Sequence, residues 1–328
     1  MQVFPFCPAV EFRHCPLPRR IMAIADLAWI WIPITLWAAF AQTIRNATQR
    51  HLVAGLGTLG ATLVRFLYGL PFAIVWLLLV WGASGEAVPG ANGSFLFWVT
   101  EGAIAQIAAT ALLLRAMAER NFALGVAYSK TEILQVAVFG AVLIGDPVSL
   151  PAVIAILVAT AGVMLVSLPA GKVSLSSLIA GLGSRPALLG MAAGTMFALS
   201  AVGYRGAALA LEPASPVMGA ATALVWAQSI QTVLLGGWLL ARNAPVVLAV
   251  LKAWRLSLLA GMMGALASIG WFTAMALEPV ANVRTLGLTE LLFSLIVSQR
   301  VFRESLSRRE MIGLALVLIG LVGIVRVA

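Results

Sequence analysis

Glu132 and Lys130 lie in the stretch AYSKTEILQ (127–135) and Glu290 lies in LGLTELLFS (286–294), each in the middle of a long apolar run. An ionised side chain at the centre of a bilayer costs on the order of 2.5–3.5 kcal/mol, so such residues face a partner, a ligand or water. A desolvated carboxylate beside another negative charge can take up a proton near neutral pH and carry it in exchange for a solute. It can also hold the ammonium of a substrate, or simply lock helices together by hydrogen bonds.

Lys130 and Glu132 are two residues apart, about 200° around a helix, which rules out a same-face pair. Lys130 is therefore expected to meet a carboxylate from another helix, with Glu101 as one option, or to line another wall of a cavity and bind a substrate carboxylate. Arg284 and Arg65 are candidates for the bidentate grip of guanidinium on a carboxylate or phosphate, although Arg65 could instead snorkel to the interface. Gln106, Tyr128 and Trp271 could supply polar and aromatic walls, or belong to interfacial belts and helix packing. Cys7, His14 and Cys15 lack a fourth ligand nearby, so no metal is expected. No cofactor is expected either. The chain has no GxxxxGK[ST] loop for ATP, no HExxH and no GxSxG, and His14 and His51 are its only histidines.

The elements that must position these residues are transmembrane helices. The chain is 62% hydrophobic and 10% charged, with a mean hydropathy of +1.02, where a soluble domain carries roughly a quarter charged residues. The net charge of +9 flanks apolar runs, and no basic cluster suits nucleic acid. Breaking the chain at Gly, Pro and charge clusters predicts ten spans, at 24–45, 56–81, 95–117, 122–144, 148–168, 186–208, 216–241, 255–276, 280–301 and 309–327. Their continuous apolar character excludes a β-barrel. Residues 1–21, rich in Pro and Arg, read as a disordered tail without an h-region, and Met22 is the expected start. Gly190–Gly194 (GMAAG) has GxxxG spacing and reads as helix packing.

The two halves are related. AMAERNFALGVAYSKTE (116–132) lies over AMALEPVANVRTLGLTE (274–290) at an offset of 158, with six of seventeen positions identical. The same offset brings Asp146 onto Glu304, Ser149 onto Ser307 and Gly162 onto Gly320, and an offset of 160 pairs Arg45 with Arg205. A duplication of five spans, an odd number, inserts the second copy upside down, as inverted repeats of secondary transporters do. The expected architecture is an all-α integral membrane protein of ten helices, with repeats at 22–168 and 186–328 joined by a linker at 169–185.

A five-helix unit with an acidic residue after its fourth helix (LIGDPVSL, VFRESLSRR) and a fifth helix with Gly near its end (ATAGVMLV, LIGLVGIV) resembles the EamA unit of the drug/metabolite transporter superfamily. The resemblance spans the chain from Met22 onward and implies a ten-helix carrier of small organic solutes, often an exporter of amino acids or related metabolites. It also implies both termini inside the cell. Thirteen Lys and Arg, however, follow odd-numbered spans, against five on the other side, and the positive-inside rule then puts both termini outside. The expected function is a proton-coupled secondary transporter in a bacterial inner membrane, with Glu132, Glu290 or both coupling the proton. An intramembrane enzyme using the two carboxylates as acid and base on a lipid-linked substrate, or a passive channel, would use the same residues. The partners are a small solute, protons and the bilayer; a homodimer is admitted but not required.

Overall fold

A computed structural model describes residues 29–117, 128–167, 183, 185–297 and 308–327. The tail with Met22 and both cysteines, nearly all of the 169–185 linker, Arg120 and Glu304 lie outside the described residues. Every element within them is helical: α1 Trp31–Leu67, α2 Leu70–Ser84, α3 Gly93–Met117, α4 Glu132–Phe139 with a π-helical continuation Gly140–Ile144, α5 Leu150–Ser167, α6 Arg185–Leu209, α7 Pro216–Lys252, α8 Trp254–Leu277, α9 Val280–Leu286, α10 Thr289–Val297 and α11 Arg308–Val327.

Among the described residues five helical stretches are long and apolar enough to cross a membrane: His51–Ser84, Gly93–Leu113, Ala187–Leu209, Pro216–Lys252 and Trp254–Leu277. Glu132–Ile144, Leu150–Val166 and Met311–Val327 are shorter apolar helices. Large side chains such as Leu78, Leu79, Phe97, Val142, Val233 and Ile319 point outward, as lipid-facing residues do.

The helix boundaries depart from the sequence expectation where polar residues had marked a joint. The run TIRNATQRHL (43–52) is not a connection but part of α1, which continues to Gly57. Its Gln42, Arg45, Asn46 and Gln49 recur at i, i+3, i+4 and i+7, so one face of the helix turns polar while the helix goes on. Gly57 then reverses the chain with φ 65° and ψ 177°, a conformation open to glycine alone. Gln49 Nε2 donates to Ala61 O at 2.9 Å across this turn. Likewise α7 passes the expected end at 241 and runs to Lys252 through a non-helical Asn243, with Pro245 close behind.

Glycine and alanine set the close approaches. α3 packs along α6, α8 along α1, and α11 along α5. A Cβ at Gly162 would lie 2.5 Å from Gly313 O, and one at Gly320 would lie 2.7 Å from Ala155 O. These two glycines, aligned by the repeat, therefore each face the other's helix. Asn92 caps α3 by accepting from Phe95 N at 2.8 Å, and Ser215 caps α7 ahead of Pro216.

Candidate functional site

Both midspan carboxylates stand at a break in the helix that carries them, not within a continuous helix as the sequence had implied. Lys130 and Thr131 form a turn between Ser129 and α4, and Gly287 and Leu288 form a turn between α9 and α10. In the first, Thr131 N donates to Tyr128 O at 3.2 Å and Leu134 N to Thr131 O at 3.1 Å. In the second, Glu290 N donates to Gly287 O at 3.0 Å and Leu291 N to Leu288 O at 2.9 Å. These bonds to the third residue back are the tight winding of a 3₁₀ turn. Glu132 opens α4, and Glu290 is the second residue of α10.

Gly194 of α6 allows the first break. A Cβ there would come 2.8 Å from Ser129 O and 3.3 Å from Glu132 N, so its GxxxG role is packing, against this turn. Gly287 allows the second, because a Cβ on it would lie 2.5 Å from the Trp271 ring.

Glu132, Glu290, Lys130, Arg284, Arg65, Gln106 and Trp271 line one cavity of about 910 Å³. Glu132 forms an ion pair with Arg284, whose guanidinium also lies 5.3 Å over the Trp271 ring. Glu290 is held instead by neutral amides: Gln42 Nε2 donates to it at 2.6 Å and Asn46 Nδ2 at 2.8 Å. Trp271 Nε1 donates to Gln42 Oε1 at 3.0 Å, which fixes the amide so that its NH₂ faces Glu290. The two carboxylates thus share a cavity and differ in their hydrogen-bond partners.

Deeper in the cavity Tyr204 stacks on Phe272 and donates to Gln106 Oε1 at 2.8 Å. Gln231 Nε2 donates to both, at 2.7 Å each. Asn46 and Val53 are the exposed members of the lining, which puts the mouth near the Gly57 turn. Next to Tyr204 in α6, Arg205 pairs with Asp146 at 2.7 Å and donates to Met275 O at 2.5 Å and Glu278 O at 2.7 Å. Asp146 also accepts from Val280 N at 3.0 Å, so this turn caps α9. Beside it, burial raises the Glu278 carboxyl above its usual range.

Two expectations are corrected. Glu101 does not meet Lys130; it packs against Gly203 of α6, and its Oε2 is buried without a hydrogen bond. Tyr128 is buried beside the first break and is not part of the lining. Lys130 sits in the turn and not on a helix face turned away from Glu132, and both side chains line the cavity.

Arg45, one of the thirteen basic residues that follow odd-numbered spans, is 6% exposed and lines the cavity with Gln42, Asn46 and Gln49. The spacing of those four residues was the available signal. Tyr204 carried none, being a single polar atom in an apolar helix.

Residues 184–326 match the profile of the EamA-like transporter family. No curated protein sequence matches the chain. Among solved structures, one described only as the crystal structure of a protein superposes with a TM-score of 0.61 at 16% identity, covering 90% of this chain and 99% of the other. At that identity the likeness is one of fold. The chain is an integral, multi-pass membrane protein whose residues 184–326 are similar to the EamA-like transporter family.

Proposed function

We propose that the chain is a secondary active transporter, a proton-coupled exporter of a small organic metabolite such as an amino acid or a related compound. It has ten spans in two inverted five-helix repeats, at 22–168 and 186–328. The observation that carries the reading is the pair of carboxylates at matching helix breaks on one cavity. Discontinuous helices near the midplane are the usual means by which such carriers expose backbone and side chains to a solute. Supporting the repeat, the packing pairs α3 with α6 and α8 with α1 exchange under the duplication, and α5 with α11 maps onto itself.

The two carboxylates divide the work. Glu132 has its counter-charge in Arg284, which positions it. Glu290 is met by amides that satisfy its lone pairs without neutralising it, so a proton arriving from the cavity supplies what Gln42 and Asn46 do not. Proton uptake releases the hold on α1, the helix packed along α8, and gives the two halves a reason to move. Lys130, Arg65, Arg284, Gln106 and Trp271 contact the solute.

Proteoliposomes loaded with a pH-sensitive dye and challenged with amino acids and small carboxylates test this. The wild type is expected to show saturable solute flux with proton movement, and Glu290→Gln to keep solute exchange while losing proton movement. Flux without saturation would identify a passive channel, and saturable flux with proton movement unchanged in Glu290→Gln would remove that residue from coupling. No flux, with turnover of a lipid-linked substrate, would favour an enzyme.

A further inference from the structure

The cavity holds more positive charge than its own carboxylates neutralise. Lys130, Arg45, Arg65 and Arg284 line it against Glu132 and Glu290, an excess of two charges. Of these, Arg284 is engaged by Glu132. Arg45 sends Nε and Nη2 to Asn46 Oδ1, at 3.2 Å and 2.8 Å, while its Nη1 is buried with no hydrogen-bond partner. Arg65 has no ion pair among the described residues, and its guanidinium lies 5.5 Å from the centre of the Phe66 ring. A buried donor left unsatisfied costs about 1–3 kcal/mol, and more when charged.

The two arginines come from either side of the Gly57 turn and converge on one spot. A Cβ at Gly264 of α8 would lie 3.3 Å from Arg45 Cδ and 3.5 Å from Arg65 Cγ. The absence of a side chain there brings two like-charged stems together. Two arginine stems packed against one glycine, in a cavity whose carboxylates leave two cationic charges unmatched, are unfavourable on Coulomb and desolvation grounds alike. Trp271 and Phe272 offer apolar wall in the same cavity.

We propose that Arg45 and Arg65 form an anion subsite at Gly264, and that the solute is a small organic dianion, a dicarboxylate or a phosphate monoester. This rests on the transport reading above and narrows its solute. Guanidinium groups recognise both kinds of anion through paired N–H donors, and two negative charges match the excess in the cavity.

The test uses the full-length protein in detergent, titrated calorimetrically at constant ionic strength with succinate, glycerol phosphate, lactate and leucine. At least one dianion is expected to bind about tenfold or more tighter than lactate and leucine, and which one binds separates carboxylate from phosphate. Arg45→Gln and Arg65→Gln should each weaken it by about tenfold or more. Without ligand both variants should melt at or above the wild-type temperature, since removing a functional, uncompensated charge relieves strain that a structural arginine would not carry. Gly264→Leu keeps both arginines and fills the space between them, and should lose the dianion as well.

Lactate or leucine binding as tightly as both dianions would overturn the subsite, as would unchanged dianion affinity in the arginine variants. No dianion binding at all also overturns it. If the same preparation then moves another solute in proteoliposomes, the transport reading stands; flux of none brings both down.

Discussion

Arg284 and Glu132 form the ion pair on which the charge balance of the cavity turns. Glu132→Gln frees Arg284 and raises the cationic excess, so dianion affinity should rise by about tenfold, whereas Arg284→Gln should lower it by a similar factor. Calorimetric titration of both variants checks the sign, and a fall in both would mean that the pair serves shape and not charge. Asp146 and Arg205 are a different kind of pair, with side chains 4% and 10% exposed. Asp146→Asn leaves a buried guanidinium facing only carbonyls and should destabilise by about 3–5 kcal/mol, while the double change with Arg205→Met should recover most of that. Thermal melts of the single and double variants distinguish this from a general effect of altering the turn.

The helices that carry the site are interrupted where the chemistry sits. Thr131–Glu132 and Thr289–Glu290 are the same dipeptide after the same kind of turn, so the irregularity is repeated along with the residues. Gly287 makes the second turn possible by leaving room for Trp271, which orients Gln42, which orients Glu290. Gly287→Ala should therefore displace the indole and loosen Glu290 without touching any charge. Proton movement per solute in proteoliposomes should fall while melting temperature changes by less than in Asp146→Asn. Unaltered coupling would disconnect this relay from Glu290. The polar face of α1 makes a related point: residues that look like a loop by composition are one side of a helix when their spacing is three and four.

Across the whole molecule the cavity opens near the Gly57 turn, and the Asp146–Arg205 pair lies outside its lining, bonded to the carbonyl of Met275. Arg45 and Arg205 are buried and belong to the interior, so neither counts toward topology. Removing them leaves twelve basic residues after odd-numbered spans against four on the other side. On that count the positive-inside rule predicts a mouth on the cytoplasmic side and both termini outside. A C-terminal reporter that works only outside the cytoplasm should be active, and one active only inside would reverse the assignment.

Composition alone determined that this chain lives in a bilayer, because 62% hydrophobic residues in long runs leave no other solvent for them. Self-similarity within the sequence places Glu132 opposite Glu290 at an offset of 158. Glu132, Glu290, Arg284, Lys130, Arg65, Gln106 and Trp271 were all legible as intramembrane polar residues. What only the tertiary structure decided was pairing: Arg284 with Glu132, amides with Glu290, Asp146 with Arg205, and Arg45 beside Arg65. Hydrogen-bonded partners from 59 to 248 residues away meet through helix packing, and that packing depends on glycines whose effect is a distance of approach, a quantity no local pattern encodes.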